Sequence, residues 1–337
     1  MIQDVIQQLL AGNDLDRASA RAVMDQIMSG KATDAQIGGF LIALRCKGES
    51  VDEIAGFAQV MREKVTPILG GKSTLVDTCG TGGDGSGTFN ISTTVAFVAA
   101  GAGLTVAKHG NRAMSSQCGS ADVLQALGVN VEAGPEQVRR CLDQAGIGFL
   151  FAPMLHGAMK HAIGPRKELG TRTVFNVLGP LTNPAGAKRQ LLGVYAAALT
   201  EKLAAVLGAL GSERAYVVHG SDGLDEITST GSSTVTELRD GELTTYEVQP
   251  SDFGFRTATA EALKGGSATE NAKILSSILA GDPGAPREIV IMNAAAAVAA
   301  GGLAEDLQQG AAVAAEAIDS GKAKAALETL KSVSNQS

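Results

Sequence analysis

The densest chemistry in this chain lies between residues 77 and 128. Glycines at 80, 82, 83, 85 and 87 follow the short apolar run Leu75-Val76 and lead into Asn90, Ser92, Thr93 and Thr94. Backbone without Cβ atoms lets N–H groups close on an anion. A helix opening at such a loop adds unpaired N–H donors and the positive end of its dipole. Strand, glycine loop and helix start together describe a phosphate site. The small hydroxyls can donate further hydrogen bonds or reach a metal ion.

The loop fits none of the common nucleotide motifs in full. No Gly-Lys-Ser/Thr closes it, so it is not a P-loop. Gly80-Thr-Gly82-Gly-Asp-Gly85 spells G-x-G-x-x-G. A dinucleotide fold also wants an acidic residue about 20 positions on, at the end of the next strand. That strand, expected at 104–107, ends in Lys108 and His109. A cation there opposes a ribose diol and suits a second phosphate. A merely flexible turn has no need of Asp84, Ser92 and Lys108 around the same loop.

The elements that must position these groups follow from periodicity. Residues 1–65 read as four helices. Ile2, Val5, Ile6, Leu9 and Leu10 repeat at helical spacing, as do Val23, Met24, Ile27 and Met28. Thr33 with Gln36, and Ser50 with Glu53, fit capping boxes. The stretch 66–73 is a natural joint. Beyond it, strands are expected at 75–79, 104–107, 148–151, 191–195 and 215–219, and helices at 90–102, 120–127, 135–145 and 200–210. Such alternation argues a mostly parallel α/β sheet. Asp240-Gly241 between 234–239 and 242–248 signals a hairpin, and the Ala-rich tail from Thr269 is expected to be helical.

Composition excludes other classes. The 337 residues allow one large domain or two smaller ones, and 45% hydrophobic content supports an ordinary soluble core. A net charge of −7 disfavours a nucleic-acid binder. Cys46, Cys79, Cys118 and Cys141 show neither C-x-x-C nor zinc spacing, so reduced thiols in a cytoplasm are expected. No signal peptide is expected at Met1-Ile-Gln-Asp, and the apolar stretches are too short to span a bilayer.

Asp77-Thr-Cys-Gly-Thr-Gly-Gly-Asp84, Asn90-Ile-Ser-Thr93, Lys108-His-Gly-Asn-Arg112 and Gly119-Ser-Ala-Asp-Val-Leu124 resemble the anthranilate phosphoribosyltransferases. The resemblance continues through His156-Gly-Ala-Met-Lys-His161, Gly164-Pro-Arg-Lys-Glu-Leu-Gly-Thr-Arg172, Asn176 to Pro184 and Val218 to Glu226, in order over most of 70–230. It implies the nucleoside phosphorylase/phosphoribosyltransferase-like fold. A small helical domain, 1–70, is joined in space by about 165–183, and a larger α/β domain, 71–337, binds phosphoribosyl diphosphate. It implies a homodimer formed through the N-terminal helices, and an Mg²⁺-dependent transfer of the phosphoribosyl group of 5-phosphoribosyl 1-diphosphate to the amine of anthranilate.

The same resemblance assigns the site. Gly80, Gly83, Asp84, Thr88, Asn90, Ile91, Ser92, Thr93, Lys108, Ser116 and Ser120 are expected around the diphosphate. Asp84 carries the wrong sign for a phosphate ligand and is placed at the ribose hydroxyls or a metal-bound water. Asp225 and Glu226, with the Ser92 hydroxyl, are expected to hold Mg²⁺, a hard ion that takes oxygen ligands. Arg166 is expected to fork onto the anthranilate carboxylate, with Gly80 near both substrates. His109 and Asn111 are the candidates to orient the amine. A pyrimidine nucleoside phosphorylase, of the same architecture, would need neither Arg166 nor the Asp225-Glu226 pair.

Overall fold

The computed structural model describes residues 1–69, 74–113 and 117–336. Ser116 lies outside the described residues. The chain opens with α1 (Ile2–Leu10), α2 (Arg17–Met28), α3 (Asp34–Lys47) and α4 (Val51–Lys64). Both expected capping boxes form, at Thr33/Gln36 and Ser50/Glu53. Glu53 does more than cap. Fully buried, its carboxylate also accepts from Leu15 N–H at 2.9 Å and from Lys47 Nζ at 2.9 Å. The Leu15 bond pins the start of α4 to the α1–α2 connection, and the Lys47 ion pair ties it to the end of α3.

The α/β part follows as β1 (Leu75–Gly80), α5 (Ile91–Gly101), β2 (Thr105–Gly110), α6 (Ser120–Ala126), α7 (Pro135–Ala145), β3 (Ile147–Phe151), α8 (Ala152–Leu155), α9 (Lys160–Leu169) and α10 (Phe175–Leu178). Then come β4 (Arg189–Gly193), α11 (Leu199–Ala209), β5 (Arg214–Gly220), β6 (Ser233–Arg239) and β7 (Glu242–Val248). Four helices close the chain: α12 (Ala268–Leu279), α13 (Ala285–Ala300), α14 (Leu307–Asp319) and α15 (Lys322–Ser334). The seven strands order as β3-β2-β1-β4-β5-β6-β7. The first five are parallel, and β6 and β7 add an antiparallel edge. The β6–β7 hairpin turns at Asp240 (φ 54°) and Gly241 (φ 84°), as a two-residue turn with both φ positive requires.

Alternate strand residues feed opposite faces. Val76, Leu191, Tyr216 and Val218 point into a core with α5 and the C-terminal helices, where α13 is buried along nearly its whole length. Leu192, Ala215 and Val217 point into a second core. That core runs continuously through α11 and Val174, Phe175, Val177, Leu178 and Leu181 to the N-terminal helices. Two strands need correction: β4 runs Arg189–Gly193, two residues earlier than the expected 191–195, and β2 ends later than expected. Lys108 and His109 do not lie beyond the strand; they belong to β2, which continues to Gly110.

The strand order places the site. From β1 the chain moves outward to β2 and β3, then returns to β4 on the other side of β1. Loops leaving β1 and β4 therefore diverge and open a crevice at their carboxyl ends, where open α/β sheets bind ligands.

Candidate active site

Gly80 ends β1 and Gly193 ends β4, and the two are register partners. Asp225, from the loop after β5, lies across both. A Cβ on Gly80 would stand 2.3 Å from Asp225 Oδ2, and one on Gly193 would stand 1.6 Å from the Asp225 carbonyl oxygen. The two glycines are thus the floor that lets a carboxylate reach the crevice. Asp225 Oδ2 accepts from Gly82 N–H at 2.7 Å, which ties it to the glycine loop.

Around it gather the other charged groups. Burial first, and the Asp84 carboxylate second, push the Asp225 carboxyl up to about 6. Burial and then Asp225 push Glu226 well above the carboxylate range, while Lys108 and the Ser92 N–H pull it down. Lys108 is only 3% exposed, so it is not a solvated surface lysine, and its Nζ donates to the Thr78 carbonyl. Thr78 Oγ1 in turn donates to the Ser92 carbonyl at 3.2 Å, stitching β1 to the first turn of α5. Asp84, Asp225 and Glu226 thus crowd one cation, and a divalent ion would relieve the excess negative charge. No group of three metal-ligating side chains forms a ready-made cage among the described residues. Two carboxylates that leave positions for water and substrate oxygens match the habits of Mg²⁺.

The start of α5 is open. Asn90 is its N-cap residue, not its first helical residue, and makes no side-chain capping bond. Thr93 Oγ1 is buried and has no hydrogen-bond partner among the described residues. Such an orphan is costly unless a ligand satisfies it. Ile91 is the buried first helical residue. Thr88 forms an isolated bridge with Lys264.

His109 N–H donates to Asp77 Oδ1 at 3.1 Å, and its Nε2 lies 3.0 Å from His156 Nε2. Burial, then His156 and Lys108, lower His109 to about 3, with the Gly179 backbone opposing; burial lowers His156 to about 4. Both rings are therefore neutral near pH 7, and the buried His109 ring is engaged by His156 and the Gly179 backbone. This pair carries a pH signature. Above about pH 6.5 neither the folded nor the unfolded rings are charged, and the pair costs nothing. Below that, the unfolded chain takes up protons the folded rings refuse until about pH 4 and 3, so stability falls through that window. Urea unfolding between pH 7 and 4.5 is expected to show this fall, and His156→Gln to flatten it by about one proton.

Asn111 is exposed; its Oδ1 accepts from Arg112 N–H at 2.8 Å, and its N–H donates to Ser120 Oγ at 3.2 Å. Arg166 stands apart. It lies on α9, which packs against α2 and α3, and its guanidinium sits 5.1 Å from the Phe175 ring centroid. It is half-buried and meets no carboxylate among the described residues. No described contact joins it to the Lys108 cluster.

Several residues here were not singled out from sequence. Gly193 is one. Arg172 is another: its guanidinium stacks 4.2 Å from the Tyr195 ring centroid and donates to the Gly83 carbonyl, while Arg45 from α3 donates to the Arg172 carbonyl. Asp77 and Asn183 form a buried pair under β2, with Asn183 Nδ2 donating to Asp77 Oδ2 and to the Ala107 carbonyl, both at 2.8 Å. Arg172 closes the Gly164–Arg172 stretch and Asp77 opens the glycine motif, but their contacts depend on the fold.

The fold and this site define a class. The helical bundle domain of a glycosyl transferase family matches residues 3–65, and the a/b domain of the glycosyl transferase family matches residues 72–324. The chain is 57% identical over 330 residues to the anthranilate phosphoribosyltransferase of Moorella thermoacetica, covering 98% of this chain and 97% of that one. Among solved structures, the enzyme of that name from Thermus thermophilus superposes with a TM-score of 0.94 at 42% identity, covering 99% of this chain and all of that one. The Saccharomyces cerevisiae enzyme, solved in complex with PRPP and Mg, gives 0.89 at 29% identity, with 99% and 97% covered. The chain belongs to the anthranilate phosphoribosyltransferase family.

Proposed function

We infer that this chain transfers the phosphoribosyl group of 5-phosphoribosyl 1-diphosphate to the amine of anthranilate. The products are N-(5-phosphoribosyl)anthranilate and pyrophosphate, and the step belongs to tryptophan biosynthesis. The observation that carries the reading is the open start of α5, where the orphaned Thr93 hydroxyl stands in a site that also holds Lys108 and the Asp84, Asp225 and Glu226 carboxyls. That set suits a metal-bound diphosphate.

The transfer breaks a sugar–oxygen bond through an oxocarbenium-like state, so negative charge develops on the leaving pyrophosphate. Lys108 and the helix N–H groups stabilise that charge in place, before the reaction begins. Asp225 and Glu226 with the Ser92 hydroxyl would hold Mg²⁺, which would supply positive charge to the leaving group. The loop N–H groups of Gly80 and Gly83, with Thr88, the main chain of Asn90, Ile91, Thr93 and Ser120, hold the rest of the donor. Asp84 takes the ribose hydroxyls or a metal-bound water. The arylamine is neutral at pH 7, so positioning by His109 and Asn111 suffices, and no strong base is required.

For the acceptor, a half-buried guanidinium on an aromatic face, with no carboxylate partner among the described residues, supports Arg166 as the carboxylate anchor. Arg166→Ala is expected to raise KM for anthranilate about 10- to 100-fold, the scale of a charge-assisted hydrogen bond. The donor KM should stay near its parent value. Anthranilate fluorescence, followed with the diphosphate and Mg²⁺, reads both; an equal rise in the two constants would remove Arg166 from this role. No described helix is long and apolar enough to cross a membrane. We further propose a cytoplasmic homodimer built on the helical unit, residues 1–70 with about 165–183, beside an α/β unit of 71–337. Exposed apolar Leu10, Ile42 and Ile163 on α1, α3 and α9 support that surface, and sedimentation velocity checks it.

A further inference from the structure

Asn90 presents an anomaly. Asparagine is among the strongest N-cap residues, because its side-chain oxygen accepts the second or third N–H of its own helix. Here it caps nothing. Its amide is turned away and held on both sides. Asn90 Nδ2 donates to the Cys118 carbonyl at 3.1 Å, and Cys118 Sγ donates back to Oδ1 at 3.3 Å. The remaining bond comes from 181 residues away: Asn271 Nδ2 donates to Asn90 Oδ1 at 3.0 Å.

Asn271 is itself fixed. It is 2% exposed on α12, and its own Oδ1 accepts from Gly266 N–H at 2.8 Å. The segment before it is strapped along the glycine loop. Phe89 N–H donates to the Leu263 carbonyl at 3.2 Å, and Gly265 N–H to the Gly87 carbonyl at 2.9 Å. Gly265 must be glycine for this: a Cβ there would stand 2.6 Å from Phe89 N.

The consequence falls on α5. The Ser92 N–H faces Glu226, and the helix itself offers the Thr93 N–H no acceptor. With Asn90 turned away, the Thr93 N–H and its orphaned hydroxyl are left for a ligand. We propose that Asn271 is a positioning residue for the diphosphate. By holding the Asn90 amide off its own helix, it stops the chain from capping the donors that a phosphate must use. This rests on the diphosphate site proposed above. Without Asn271 one of the bonds that hold the Asn90 amide is lost, and its side chain spends more time turned toward Thr93 N–H, in competition with the incoming anion.

Two variants of the full chain test it. Asn271→Asp keeps the acceptor for Gly266 N–H and loses the side-chain donor that serves Asn90 and the Cys118 thiol. Asn271→Leu loses both without adding charge. In both, pyrophosphate Kd by calorimetry and KM for the phosphoribosyl donor are expected to rise about five- to tenfold, the scale of one capping interaction. For Asn271→Asp, kcat and KM for anthranilate should stay close to parent values, while the buried carboxylate lowers the ligand-free unfolding midpoint. Unchanged pyrophosphate affinity in both variants would overturn the proposal. So would a loss shared equally by anthranilate KM, since that marks a structural role only. A loss in Asn271→Asp alone would mark a charge effect and count against it as well. Thr93→Val and Lys108→Met serve as the reference: if these also leave pyrophosphate binding intact, the site reading beneath the proposal fails instead.

Discussion

Lys108→Met is expected to abolish most activity, lowering kcat/KM for the phosphoribosyl donor about 10²- to 10³-fold, the usual cost of removing one preorganised charge-stabilising donor. The argument starts from burial. Lys108 is 3% exposed at the carboxyl end of β2 and lowers the carboxyl pKa of both Asp77 and Glu226. Asp77 is fully buried, and burial raises its pKa despite Lys108, Asn183 and the His109 N–H. Methionine fills similar space but leaves these carboxyls without their cation. Breaking a buried charge cluster from one side costs about 3–5 kcal/mol, so the variant should also unfold more easily.

The pH dependence separates the two effects. Without Lys108 the folded-state pKa values of Asp77 and Glu226 rise further. A carboxyl with a raised folded pKa destabilises at high pH and recovers once it is protonated. The stability gap to the parent should therefore narrow as pH falls, while pyrophosphate affinity stays low throughout. A variant that regains pyrophosphate binding at acid pH along with its stability would mean that Lys108 serves the fold and does not serve the ligand.

How much of this was legible beforehand depends on the range of the contacts. The helices of the N-terminal layer and all seven strands follow from local periodicity, and the capping boxes at Thr33 and Ser50 form as spelled. The end of β2 did not follow. Lys and His read as the end of the strand, yet Asp77, on the neighbouring strand β1, accepts the His109 N–H and helps carry both residues into the sheet. The glycine loop advertised a phosphate site through composition alone. Gly193 advertised nothing, because its meaning arises only when β4 returns beside β1. Asn271 is silent for the same reason: an asparagine in a helix is ordinary until its partner 181 residues away is known. Arg166 was legible as a cation in a motif, but its lack of a carboxylate partner was not.

Gly193→Ala carries the second large effect, and it acts on the carboxylate pair through the Asp225 main chain. Gly193 is absent from the positive-φ positions, so alanine meets no backbone penalty there. The obstacle is purely steric. The new Cβ would lie 1.6 Å from the Asp225 carbonyl oxygen and 2.6 Å from its carbonyl carbon. Gly80→Ala would strike the Asp225 carboxylate, a side-chain end that can rotate; Gly193→Ala strikes main chain, which must move as a unit. Restoring ordinary contact requires the Asp225-Glu226 segment to shift by more than about 1 Å, and misplacement on that scale costs about 10²-fold in rate. The expected result is a kcat/KM about 100-fold down, with a higher Mg²⁺ concentration needed for half-maximal rate and KM for anthranilate nearly unchanged. Gly208→Ala on α11 is the control, since its Cβ would meet only the Leu238 side chain at 3.4 Å. If Gly193→Ala lowered kcat/KM while the Mg²⁺ requirement stayed put, Asp225 and Glu226 would not be what holds the ion, and the crowded carboxyls at this crevice would need another partner.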